Sequence, residues 1–247
     1  MEIQGTGLLA RAFAALDARD DDALVFAKGV ADSRTTAPAE YERETRELDA
    51  AIRACRAAGQ ALVYLSGGGA IYGRTAAVRR EDDLVQPDTM YGRHQHTCEQ
   101  AVVASGVGYL IARVPNAVGH PQRSAQLVPA LVQQVRTRRV TIDPGASRDL
   151  IDAADVAELV TALLRAGARD QVVNVASGIS TTVSDLVAHI ERLLDTTAEH
   201  VAGVGEPDPQ RFSIARLQSY VPGWRPAPEY PFGILERYVG IAALDRA

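Results

Sequence analysis

Gly5-x-Gly7-x-x-Ala10 sets two glycines and an alanine between a short predicted strand, Met1–Gln4, and an Ala-rich helix running to about Ala18. In such a turn the first glycine permits a tight bend and the second lets the backbone approach a pyrophosphate. Ala10 can stand for a third glycine, because close helix packing tolerates a methyl. Arg11 could add a charge-assisted contact to phosphate. The same residues also suit a plain β-α turn that needs glycine only for its backbone. A second run, Gly67-Gly68-Gly69, follows Ser66 at the end of another strand. Its bare N–H groups could meet a ligand, or it could be a flexible turn. Further on, Tyr91, His94 and Gln95 share one predicted helix, with His94 on the face of Tyr91. A free phenol titrates near pH ~10, so Tyr91 needs help to act as a base near neutrality.

The elements that must position these groups alternate. Ala23–Ala27 reads as a buried strand and 29–38 as a polar loop. Glu40–Ala58 carries Leu48, Ile52 and Cys55 at helical spacing, and Gly59 ends that helix as a C-terminal cap. Ala61–Leu65 is short and wholly apolar, as a parallel strand buried on both faces should be. Pro87–Ser105 follows as a helix and Gly108–Val114 as a strand, then Leu127–Val135 as an amphipathic helix and Thr182–Leu194 as another. Strands alternating with helices predict an α/β, doubly wound parallel sheet.

Composition narrows the function. The 247 residues suit one α/β domain, or one with a small appendage, and 47% hydrophobic content supports a sizeable core. A net charge of −5 and 5% aromatics offer neither the basic footprint nor the stacking surface that nucleic acid requires. No apolar run reaches membrane-spanning length and the N-terminus carries no signal peptide, so a soluble cytoplasmic protein is expected. Cys55 and Cys98 lack metal-ligand spacing and read as reduced thiols, and no metal is expected.

The segment Val63-Tyr64-Leu65-Ser66-Gly67-Gly68-Gly69-Ala70-Ile71-Tyr72-Gly73, with Tyr91-Gly92-Arg93-His94-Gln95, resembles the active-site region of the extended short-chain dehydrogenase/reductase family, the NAD-dependent epimerases and dehydratases. The resemblance continues through Arg113-x-x-Asn116-x-x-Gly119, Arg148-Asp149-Leu150-Ile151 up to Asp155-Val156-Ala157, Val172–Gly178 and Gly223-Trp224-Arg225-Pro226. It implies a Rossmann-like sheet with a small C-terminal substrate-binding subdomain. Residues 1–120 would form a shortened nucleotide-binding region. Residues 121–247 would interleave the last sheet elements, about 148–195, with substrate-binding segments. Two N-terminal β-α units are absent, because only Arg19–Asp22 separates the first helix from the strand matching the family's fourth. With them goes the acid that binds the adenosine ribose. If Ala23–Ala27 pairs with the first strand, a right-handed crossover would put the first helix on the unusual face.

The resemblance also implies roles. Tyr91 would exchange a proton with a substrate oxygen while NAD or NADP carries hydride. The family's lysine position reads Gln95, which can still bond a ribose but carries no charge, and a protonated His94 could supply that charge instead. The family's serine position reads Gly68, and Ser66 lies two residues early. Cofactor contacts would fall to Gly5, Gly7, Ala10, Arg11, Gly68, Gln95 and Asn116, and substrate contacts to Asn116, Arg148 and Arg211. Arg148 could instead pair with Asp149 or Asp152, and Asp155 is expected to cap a helix. The implied activity is reduction or epimerisation of a nucleotide-activated or sugar-like substrate, in polysaccharide or natural-product biosynthesis. The alternative is an altered, non-redox member: a lyase, dehydratase, cyclase or ligand-binding protein that uses no dinucleotide. A homodimer could form through the helices bearing Ala51, Ile52, Cys55, Cys98 and Val102, residues that equally suit the sheet.

Overall fold

The computed structural model describes residues 1–16, 22–30 and 33–244, with side chains up to Val239. The chain runs β1 (Glu2–Gln4), α1 (Leu8–Ala15), β2 (Ala23–Phe26), α2 (Pro38–Ala58), β3 (Ala61–Gly67), α3 (Gly68–Ile71), α4 (Met90–Ala104) and β4 (Tyr109–Val114). It continues through β5 (Asn116–Val118), α5 (Leu127–Arg136), β6 (Arg139–Ile142), β7 (Ser147–Asp152), α6 (Ala153–Arg165) and β8 (Gln171–Asn174). Then follow β9 (Ser180–Thr182), α7 (Val183–Leu193), β10 (Glu199–Ala202), α8 (Ala215–Tyr220) and α9 (Phe232–Leu244).

Five parallel strands form the central sheet in the order β1-β2-β3-β4-β8. The alternation of side chains along them divides the core in two. Leu24, Phe26, Leu62, Tyr64 and Ile111 face α2 and α4, where Leu48, Ala51, Ile52, Cys55, Cys98 and Val102 cover them. Val25, Val63, Leu110, Ala112 and Val173 face α1 and α6, meeting Phe13, Val156, Val160 and Leu163. Each such large apolar side chain, once buried, contributes roughly 1.5–3 kcal/mol before entropy. The five residues considered for a dimer face are therefore committed to the sheet within one chain. A third cluster packs α5, α7 and α9 beside the sheet, next to the small sheets β5-β7-β9 and β10-β6.

Local chemistry explains the helix ends. Gly59 sits in the left-handed region at φ 67 and closes α2 as expected. Thr89 caps α4 through the N–H of Gly92, Thr182 caps α7 through that of Asp185, and Asp152 caps α6 through that of Ala154. The cap of α6 is thus Asp152 rather than Asp155, whose carboxylate accepts the Tyr230 hydroxyl instead.

The first helix takes an unusual path. α1 packs against α6, on the sheet face opposite α2 and α4. The strands nevertheless advance in one direction from β1 through β4. The β1-α1-β2 connection therefore has the opposite hand to β2-α2-β3 and β3-α4-β4, against the strong right-handed rule. The expectation that a right-handed crossover would move the helix is overturned: the helix keeps its partner α6 and the handedness gives way. Phe13, 1% exposed, shows what holds it there. The expected helix end near Ala18 and the joint at Arg19 and Asp20 lie outside the described residues.

Candidate active site

The C-terminal ends of the sheet strands open into one cleft of ≈ 1360 Å³. It is lined by Gly5, Thr6, Gly7 and Arg11 of the glycine loop and first helix, by Ser66, Gly67, Gly69, Tyr91 and Gln95 from the end of β3 and from α4, and by Asn116, Arg148, Asp208 and Gln210 from the second half of the chain. The geometry at the glycine loop is specific. Gly5 has φ +139, and a Cβ there would lie 2.4 Å from the Ala27 carbonyl oxygen and 3.3 Å from the Ala10 methyl. Gly7, the N-cap of α1, has nothing within 4 Å of such a Cβ and faces open space. Gly5 thus serves the turn, Ala10 is buried behind it, and Gly7 leaves the helix N-terminus free to receive a phosphate.

Tyr91 is half-buried, and its ring lies over Gly67: a Cβ at Gly67 would stand 2.7 Å from the phenol oxygen. Position 67, rather than 68, is therefore the one whose side chain would meet the phenol. Gly68 turns the other way, toward the backbone of Arg113 and Val114, where a Cβ would lie 3.0 Å from the Val114 carbonyl carbon. Gly68, where a cofactor contact was expected, is buried off the cleft, whereas Gly67 and Gly69 line it. Ser66 reaches the cleft wall, 2% exposed, with a hydroxyl that has no hydrogen-bond partner among the described residues.

Gln95 and His94 are engaged with Glu44. Gln95 accepts the Gly67 N–H at 3.0 Å through Oε1 and donates through Nε2 to Glu44 Oε1 at 3.2 Å. Tyr64 donates to the same carboxylate oxygen at 2.9 Å, while Glu44 Oε2 accepts the Val30 N–H at 2.8 Å and lies 3.1 Å from His94 Nε2. His94, expected to supply charge to Tyr91, turns its ring to Glu44 and packs at a tilt against Tyr41 with centroids 4.8 Å apart. Burial opposes ionisation of Glu44, yet the bonds from His94 and Val30 hold its carboxyl below the ordinary range. Burial, and then the charge of Glu44, pushes the Tyr91 phenol well above its usual value. Tyr91 is thus a proton donor by environment, not a ready base.

Across the cleft, Asn116 donates to the Asp149 carbonyl at 3.0 Å and to Gln210 Oε1 at 3.2 Å. Arg148 pairs with Asp208 at 3.2 Å, not with Asp149 or Asp152. Burial, and the nearby Arg79, lower the pKa of Arg148. Asp149 is buried and accepts Ser177 N, Ser177 Oγ and Gly178 N at 3.0, 2.7 and 2.8 Å, so it builds the turn after β8. Burial raises its pKa to about 7 despite those donors. Arg211 is exposed and off the cleft, because Arg79 and Phe212 pair there and turn Gln210 inward instead.

Several of these residues escaped the sequence reading. Glu44 had a visible signal: it interrupts the buried stripe Tyr41, Leu48, Ala51, Ile52, Cys55 of α2. Asp208 and Gln210 lie in an irregular segment that carries none. The residues present fit the diphosphate half of a dinucleotide, through the open cradle at Gly5–Gly7. They do not fit its adenosine ribose as the family holds it, since β1 is the sheet's edge and, among the described residues, no strand beyond it brings an acid.

The dTDP-4-dehydro-6-deoxyglucose reductase of Escherichia coli is 26% identical over 189 residues, covering 70% of this chain. The chain spans 58% of that enzyme's length. Among solved structures, a dTDP-glucose 4,6-dehydratase from Streptomyces venezuelae with NAD and TYD bound superposes with a TM-score of 0.78 at 19% identity, covering 91% of this chain and 74% of that one. RMD from Pseudomonas aeruginosa, complexed with NADPH, gives 0.75 at 23% identity, covering 99% and 89%. The family model for NAD dependent epimerases/dehydratases matches residues 12–176, and the chain belongs to that family.

Proposed function

We propose that the cleft binds NAD or NADP together with a nucleotide-activated or sugar-like substrate, and that Tyr91 donates a proton to a substrate carbonyl oxygen. One observation carries this reading: the Tyr91 phenol lies over Gly67 and lines the same cleft as Gly5 and Gly7 of the glycine loop and the polar residues Asn116 and Arg148. The bound nicotinamide would supply hydride to the carbonyl carbon. Gly5 and Gly7 would hold the diphosphate, with Arg11 beside them. Arg148, held by Asp208, suits the substrate's phosphates, because its planar guanidinium can donate to two phosphate oxygens at once. A neutral phenol with a raised pKa favours the reductive direction, where the tyrosine starts protonated.

The engagement of Gln95 with Glu44 and Gly67 supports a second, non-redox reading, in which no residue receives the nicotinamide ribose. Calorimetric titration with NAD+, NADH, NADP+ and NADPH separates the two. Micromolar binding of one of them is the expected result. A flat response to all four would overturn the redox reading and leave the non-redox one.

A further inference from the structure

We infer that Glu44, His94 and Cys98 form a buried binding site for a divalent transition metal of the zinc class, beside the cleft. Their ligand atoms all lie within 4.8 Å of one another. Glu44 Oε2 is 3.1 Å from His94 Nε2, and Cys98 Sγ is 3.5 Å from the same nitrogen. A tetrahedral zinc ion with ordinary bond lengths sets its nitrogen and oxygen ligands ~3.4 Å apart and its nitrogen and sulfur ligands ~3.6 Å apart. Reaching that arrangement takes an opening of the first contact by a few tenths of an ångström and an approach of the Glu44 oxygen and the Cys98 sulfur, which lie within 4.8 Å, toward ~3.6 Å.

The surroundings support a metal over a plain hydrogen-bonded cluster. One imidazole nitrogen faces both a carboxylate and a thiol, and a single N–H cannot serve both well. His94 and Cys98 stand one turn apart on α4, and Glu44 comes from α2, so the ligand set bridges two helices over the sheet. The other lone pairs of Glu44 accept from Val30 N, Tyr64 and Gln95, the kind of outer contacts that orient metal ligands. A carboxylate and a thiolate would neutralise a divalent charge, which matters where Glu44 is 0% and Cys98 3% exposed. Through Gln95 the same carboxylate reaches the Gly67 N–H, so a metal here would stiffen the strand end under Tyr91.

Co2+ titrated into chelator-treated, full-length protein tests the site. The expected result is one equivalent bound, with a thiolate-to-cobalt charge-transfer band and the visible bands of a four-coordinate ion, both removed by Zn2+. Cys55 and Cys98 are the chain's two cysteines, so the band should survive Cys55→Ala and vanish in Cys98→Ser. Absence of the band in the wild-type protein would overturn the site, even if Cys98→Ser failed to fold. A band that persists in Cys98→Ser or is lost in Cys55→Ala would do the same.

Discussion

The Gln95 side-chain oxygen accepts the Gly67 N–H at 3.0 Å, and this bond ties the helix carrying Tyr91 to the strand end over which the phenol lies. Gln95 is 1% exposed and its amide group also donates to Glu44. The position that the family fills with a cofactor-binding lysine is here a structural tie. Gln95→Leu should therefore cost about 1–3 kcal/mol of stability, the penalty for stranding two buried polar groups. Urea denaturation measures it, and an unchanged midpoint would show that the bond contributes nothing.

Tyr91→Phe separates chemistry from folding. The phenol makes no hydrogen bond to another described residue, so the substitution should move the unfolding midpoint little. If Tyr91 gives up the proton, turnover should drop by roughly 10²–10⁴-fold. Activity within a few-fold of wild type would remove Tyr91 from the reaction.

Two glycines in one loop should behave differently. Gly5→Ala drives a methyl into the Ala27 carbonyl from a backbone conformation that L residues rarely adopt. A loss of more than ~2 kcal/mol is expected. Gly7→Ala meets open space, so stability should hold while dinucleotide affinity falls. Equal melting temperatures for the two variants would contradict this division of labour.

Two buried acids give pH dependences of opposite sign. The Glu44 carboxyl is held below its ordinary 4.5, so its stabilisation is present above that value and lost as the pH falls through the lowered one. The Asp149 carboxyl is raised from 3.8 to about 7, so the folded chain keeps that proton longer than the unfolded one. Its contribution is full below 3.8 and is lost as the pH rises through about 7. Glu44→Gln should flatten the acid limb of a stability profile, and Asp149→Asn the neutral limb. Unchanged limbs in the two variants would place the dependence on other groups.

Among the described residues, no helix is long and apolar enough to cross a membrane. That agrees with the lack of a long apolar run in the sequence.

The chain's linear pattern settles its layers. Short apolar strands such as Ala23–Phe26 and helices with apolar residues every three or four positions can bury their surface only as a sheet covered on both faces. The glycine loop, Tyr91, Asn116 and Arg148 all line one cleft, and each sits at a strand end or helix start, the places that spacing along the chain marks. Three things needed the tertiary structure. Side-chain direction at a strand end decides that residue 67, not 68, faces the phenol, and one residue of register reverses that answer. The hand of the first connection depends on α1 packing with α6, a contact between segments more than a hundred residues apart. The meeting of Glu44 with His94 and Cys98 depends on two helices lying side by side over the sheet. Spacing along the chain reports periodicity within an element. It holds no record of which face of one element meets which face of another.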